Sequence, residues 1–281
     1  MKSSSSTVLN IVCALNCEAK ALIHSLKLKK HVSHKTFQIY KNKDSTIQLI
    51  ISGIGRINAA IATAYLASQS KDSRQAFLNI GIAGSSELAI GKLFLVNKLE
   101  DNAANQTFYP TFYPTYYPKV QFIKNFSSTS LQTYDTPVSD LPKTGLADME
   151  STGFYQAALK FTSQENIQIL KIVSDNSKED QEHINSQFVN NLLEEQLESI
   201  LSVIYQLQVF LKKQAEPLPE IYEAVISKFH VTEQQKIHLL RLLQRAEIFA
   251  DIFNARSLCM DKITSVSALI KSLKIQLEEC Y

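Results

Sequence analysis

No stretch of this 281-residue chain stays apolar for the roughly 18 residues that a membrane span needs. Only four cysteines are present, and just two of them, Cys13 and Cys17, lie close together. That spacing is no disulfide framework, and no histidine or further cysteine completes a zinc pattern. A reduced, cytoplasmic chain follows as the expectation. Charge of one sign is also missing. The formal net charge is +2, so no nucleic acid or anionic membrane is required as a partner. A Gly53-x-Gly55 pair is present without the third glycine of a dinucleotide site. Beyond residue 219 glycine and proline are absent altogether, which leaves that end helical.

What is present alternates between strand and helix. Residues 8–15 form an apolar run without a small-residue cleavage site, and read as a first core strand, not a signal peptide. Residues 17–28 put Ala19, Leu22, Ile23 and Leu26 on one helical face. Residues 37–40 and 47–51 read as a hairpin turning over 41–45. The two glycines then open an Ala-rich helix. Residues 76–85, 93–96, 130–137 and 167–173 read as further strands, and 151–159 as a helix. One long helix is predicted over 185–213, with Leu193, Leu197, Ile200, Ile204, Leu207 and Leu211 on one stripe. Thr-Phe-Tyr-Pro, Thr-Phe-Tyr-Pro and Thr-Tyr-Tyr-Pro fill residues 107–118. Proline at every fourth position makes that segment a stiff aromatic loop, either packed in a subunit interface or lying over a pocket.

Pro217 and Pro219 mark a boundary. The expected architecture is a three-layer α/β/α domain over 1–214, with a mixed twisted sheet, and an all-helical appendage over 215–281. In the appendage a capping box at Thr232 to Gln235 opens one helix. A last helix is predicted to align Ile263, Val266, Ile270, Leu273 and Leu277 on a seam.

Acids mark the expected strand ends. Glu18 stands at the first strand-to-helix junction, Glu150 follows Asp148-Met149, and Asp175 ends the 167–173 strand after Ser174. Taken singly, each suits a helix start or a turn. Together they can converge on a crevice at the carboxyl ends of the strands. Gly81 and Gly84 would let a ligand lie against the backbone there, or would only allow close strand packing.

The order of these pieces resembles the purine nucleoside phosphorylase superfamily, most closely its methylthioadenosine/S-adenosylhomocysteine nucleosidases. It is carried by Ala14-Leu15-Asn16-Cys17-Glu18, Ser52-Gly53-Ile54-Gly55-Arg56, Asn79-Ile80-Gly81-Ile82-Ala83-Gly84, Asp148-Met149-Glu150 and Val173-Ser174-Asp175. The resemblance spans roughly residues 7–213 and implies hydrolysis of the N-glycosidic bond of a purine nucleoside. A 5′-modified adenosine of the methylthioadenosine, S-adenosylhomocysteine or 5′-deoxyadenosine type is the implied substrate.

The same resemblance implies a role for each residue. Asp175 would protonate the leaving purine, with Ser174 orienting it, and Glu18 would activate water. Glu150 would hold the ribose hydroxyls, with Met149 against the sugar. Ala83 and Gly84 would form the pocket wall, and Lys171 would stand near the attacking water. Tyr134, or an aromatic of the 107–118 loop, would stack on the base. No metal or cofactor is implied, and a homodimer is. Two other readings stand beside hydrolysis. One is phosphorolysis, for which Arg56 is the cation nearest a glycine loop. The other is a non-catalytic nucleoside-binding scaffold whose 215–281 helices meet a protein partner.

Overall fold

The apolar runs become the interior strands of a ten-stranded mixed sheet. In the computed structural model β1 (Thr7–Cys13) leads into α1 (Asn16–Ser25), then β2 (Lys29–Lys30), β3 (Gln38–Lys41) and β4 (Ile47–Ile51). Next come α2 (Arg56–Ser68), β5 (Arg74–Gly84), β6 (Leu93–Asp101), β7 (Gln106–Phe108), β8 (Ser128–Thr133) and β9 (Leu146–Asp148). Helix α3 (Ser151–Ala158), β10 (Ile167–Asp175), α4 (Ser186–Glu195) and α5 (Leu197–Gln214) follow. The structure describes residues 7–31, 36–70, 74–110, 126–138, 140–176, 184–214, 220–248 and 264–278. The second and third copies of the aromatic repeat and the Pro217 linker lie outside them.

Strand β1 pairs in parallel with β4 on one side and β5 on the other. The β1–α1–β4 and β4–α2–β5 connections run in opposite directions across the sheet, which for right-handed crossovers puts their helices on opposite faces. Helix α1 accordingly packs with α4, and α2 with α3, giving helix, sheet and helix layers. Beyond β5 the sheet closes on itself. β5 pairs with β10, β10 with β6, β6 with β8, β8 with β9, and β9 with β5 again. Every residue of β10 is buried, as a strand covered on both faces requires.

Helices α2 and α3 touch backbone to backbone. A Cβ on Gly153 of α3 would lie 1.9 Å from the Arg56 carbonyl oxygen, so only glycine fits. The helix predicted over 185–213 is interrupted at Gln196, which falls between α4 and α5 and whose side-chain amide donates to the Gly91 carbonyl.

The chain forms two units, Met1–Lys212 and Lys213–Tyr281. The second contains α6 (Glu220–Lys228), α7 (Glu233–Ile248) and α8 (Val266–Glu278). Leu239, Leu242, Leu243 and Ala246 of α7 are buried, as are Val266, Leu269, Leu273 and Leu277 of α8. Leu269 is buried in the place predicted for Ile270, which is half-buried, and Ile263 lies outside the described residues. Among the described residues no helix is long and apolar enough to cross a membrane.

Candidate active site

Five chain segments deliver polar groups to one cavity of about 270 Å³. Its wall includes Glu18, Ile82, Ala83, Gly84, Tyr134, Met149, Glu150, Ser174 and Asp175. Apolar Ile54, Val138, Leu141 and Ile184 line it too, and so does Asp148.

Glu18 comes from the first turn of α1, directly after β1. Its side chain folds back so that Oε2 accepts from the Ala14 and Leu15 N–H groups, both at 2.9 Å. Oε1 accepts from the Ile82 N–H at 3.1 Å. The carboxylate thus terminates the helix and faces the cavity at once. Burial raises its pKa, against the opposing pull of Lys171 and of its backbone donors.

Glu150 precedes α3 and reaches across to the glycine turn, where Oε1 accepts from the Gly55 N–H at 2.8 Å. Burial, then the neighbouring Asp148, pushes its pKa up to about 7. Gly55 has φ +100°, a conformation that glycine adopts without strain and that turns its N–H toward Glu150.

Asp175 ends β10 opposite Gly84 of β5. The Ser174 hydroxyl donates to Asp175 Oδ1 at 2.5 Å. A Cβ on Gly84 would stand 2.9 Å from Asp175 Oδ2 and 2.8 Å from Leu141 Cδ2, so the glycine makes room for this carboxylate and the leucine above it. The Tyr134 hydroxyl donates to Gln132 Oε1 at 2.5 Å, and its backbone N–H donates to the Asp148 carbonyl.

Lys171 differs from the other expected site residues. Its side chain is 2% exposed and lies behind the cavity wall, with Nζ 2.9 Å from Asp148 Oδ2. Burial opposes its charge, but Asp148, Glu150 and Glu18 outweigh that cost and raise its pKa. Arg56 is also committed. Its guanidinium contacts both Asp101 oxygens at 3.0 Å and pairs with Asp135 through Nε and Nη2.

Sequence reasoning missed the partners that hold Asp148 in the cavity wall. Asp148 accepts from Thr133 Oγ1, from the Ser151 N–H and hydroxyl, and from Lys171. The one signal for them was Asp148 followed three residues later by Ser151, the spacing at which an acid caps a helix start. Among the described residues no cluster of three His, Cys, Asp or Glu groups is placed to hold a metal ion.

No family model and no curated sequence matches this chain. Solved structures do. The 5′-methylthioadenosine nucleosidase of Arabidopsis thaliana superposes with a TM-score of 0.59 at 19% identity, covering 72% of this chain and 96% of that one. A methylthioadenosine/S-adenosylhomocysteine nucleosidase from Colwellia psychrerythraea, in complex with adenine, gives 0.56 at 20% identity, covering 72% and 96%. The futalosine hydrolase of Helicobacter pylori gives 0.52 at 16% identity, covering 72% and 98%. These likenesses are of fold, which this chain shares with those nucleosidase and hydrolase structures.

Proposed function

We propose that the protein is a nucleosidase that hydrolyses the N-glycosidic bond of a purine nucleoside, with a 5′-modified adenosine as its substrate. The observation that carries this reading is the meeting of three carboxylates, Glu18, Glu150 and Asp175, at one cavity in a nucleosidase fold. Cleavage leaves positive charge on the ribose and negative charge on the departing purine. Asp175, oriented by Ser174, gives its proton to the purine nitrogen and neutralises the leaving group. Glu18 takes a proton from water, whose oxygen bonds to the anomeric carbon as the bond to the base breaks. Glu150 accepts from the ribose hydroxyls, with Met149 against the sugar. Ala83 and Gly84 offer backbone to the base, and Tyr134 borders it.

Hydrolysis is favoured over phosphorolysis by two features. Glu18 would repel phosphate from the nucleophile's place, and Arg56 is already held by Asp101 and Asp135. The test is incubation with adenosine-type nucleosides, with and without phosphate, followed by chromatography of the released base. Base release independent of phosphate is expected. A phosphate requirement would make the protein a phosphorylase. Binding without release would leave a nucleoside-binding scaffold and move attention to the 215–281 helices and a protein partner for them.

A further inference from the structure

Among the described residues Lys171 is one of the largest side chains wholly inside the protein, and the only charged one of that group. It stands on β10 directly across from Gly81 of β5. A Cβ at Gly81 would lie 3.4 Å from Lys171 Nζ and 2.7 Å from Glu18 Oε1, so the ammonium and the carboxylate converge over one glycine. On its other side the ammonium meets Asp148, whose carboxylate side chain is 1% exposed. Asp148 Oδ1 accepts from Thr133 Oγ1 at 2.7 Å, and Oδ2 accepts from the Ser151 N–H at 3.0 Å, the Ser151 hydroxyl at 2.5 Å and Lys171 at 2.9 Å. Lys171 is not among the residues that line the cavity; Asp148 is, but its carboxylate is buried.

A buried charge is retained only where partners offset its lost hydration. Asp148 has four donors and needs nothing more from Lys171 than the contact it has. The rest of the ammonium's field falls on Glu18 and Glu150. The ionisable groups around it are Cys13 on β1, Glu18 on α1, Asp148 on β9 and Glu150 before α3, and Cys17 on α1 faces Glu18.

We propose that Asp148 and Lys171 are a positioning pair: Asp148, clamped by Thr133 and Ser151, fixes the ammonium beside Gly81, where it faces the Glu18 carboxylate and favours the charged form that takes a proton from water. The role of Glu18 in this statement rests on the hydrolytic reading above; the electrostatic hold on Glu18 does not.

The two members carry opposite charges, so their removal is expected to move Glu18 in opposite directions, which a loss of packing alone would not do. Lys171→Met removes the cation, so Glu18 ionises at higher pH. Asp148→Asn removes an anion and leaves the cation, so Glu18 ionises at lower pH. Both variants are expected to lose turnover, by about 10²-fold if the carboxylate is misplaced by an ångström. The acid limb of kcat/KM is expected to move up by about 1–3 pH units in Lys171→Met, and down in Asp148→Asn. The decisive measurement needs no catalysis. Carboxyl carbons of isotope-labelled glutamate are titrated by NMR in the wild type and both variants, with Glu18→Gln and Glu150→Gln supplying the assignments. Opposite displacements of the Glu18 midpoint support the pair. An unmoved midpoint in both folded variants overturns it. Should either variant fail to fold, Lys171→Arg and Asp148→Glu serve instead. Both keep the charge and are expected to hold the midpoint near the wild-type value, and a displacement of a pH unit or more in both would overturn the pair. If the wild type releases no base yet the midpoints move as stated, hydrolysis falls and the electrostatic pair stands.

Discussion

Three carboxylates share the cavity, but each is held by a different chemistry. Asp175 has a hydroxyl from its own neighbour Ser174 and room made by Gly84. As a proton donor it should be irreplaceable by its amide. Asp175→Asn is expected to lower turnover about 10²- to 10⁴-fold while nucleoside binding, followed by calorimetry, survives. Wild-type turnover in that variant would reduce Asp175 to a strand-end acid. Glu150 offers a different test. Its pKa is about 7 in the folded protein against 4.5 for an ordinary glutamate. Between those values the folded chain holds a proton that the unfolded chain has released, so stability falls as pH rises. The contribution is complete below pH 4.5 and is lost by the time pH passes 7, a change of about 3 kcal/mol. Glu150→Gln cannot titrate. Relative to the wild type it should therefore gain that amount in urea unfolding between pH 4.5 and 8, and a constant difference would show that Glu150 is not proton-linked to folding. Glu18 and Asp175 were visible in the sequence because they stand at the ends of legible strands, and Glu150 because it precedes a legible helix. The burial of Lys171 was not, since β10 is apolar around it and nothing local tells whether a lysine there reaches solvent or three carboxylates.

Elements place these groups, and the approach of α2 to α3 is the tightest example. Gly55, just before α2, donates to Glu150, just before α3, while Gly153 lets the two backbones touch. Gly153→Ala must push the helices apart. A loss of about 1–3 kcal/mol is expected, seen as a melting shift of roughly 2–4 °C per kcal/mol in a unit of this size. Glu150 should be displaced with it, so KM should rise. An alanine variant with unchanged melting and KM would mean that the helices can slide freely. The long strands were legible as apolar runs. β6 was read short because Asn97, Lys98 and Glu100 interrupt its apolar pattern, although pairing continues to Asp101. Strand β9 has three residues, too few for any period, and is defined only by its partners β8 and β5. The break at Gln196 was hidden because the apolar stripe runs through it unaltered.

At the scale of the whole molecule, the second unit has its own buried residues on α7 and α8. A chain ended at residue 214 is expected to stay soluble, keep its circular dichroism signature per residue of sheet, and release base at the full-length rate. Precipitation on truncation would show that the boundary is not a domain boundary. Assembly is the other expectation at this scale. Ile54 at the cavity wall, just before α2, and Ile57 and Ile61 on α2 are 52%, 70% and 55% exposed. Light scattering at micromolar concentration should give a homodimer, and a monomer would refute it. The closed ring of strands has a consequence in time. β5 is complete at Gly84, but its partner β10 begins only at Ile167. At about 5–20 residues per second, a ribosome takes on the order of 4–16 seconds to make the roughly 80 residues between them. Throughout that interval an almost wholly apolar strand has an unpaired edge, the kind of surface on which nascent chains aggregate. Stalled chains ending before β10 should therefore bind a holdase chaperone, and chains extended past Asp175 by more than the length of the exit tunnel should release it.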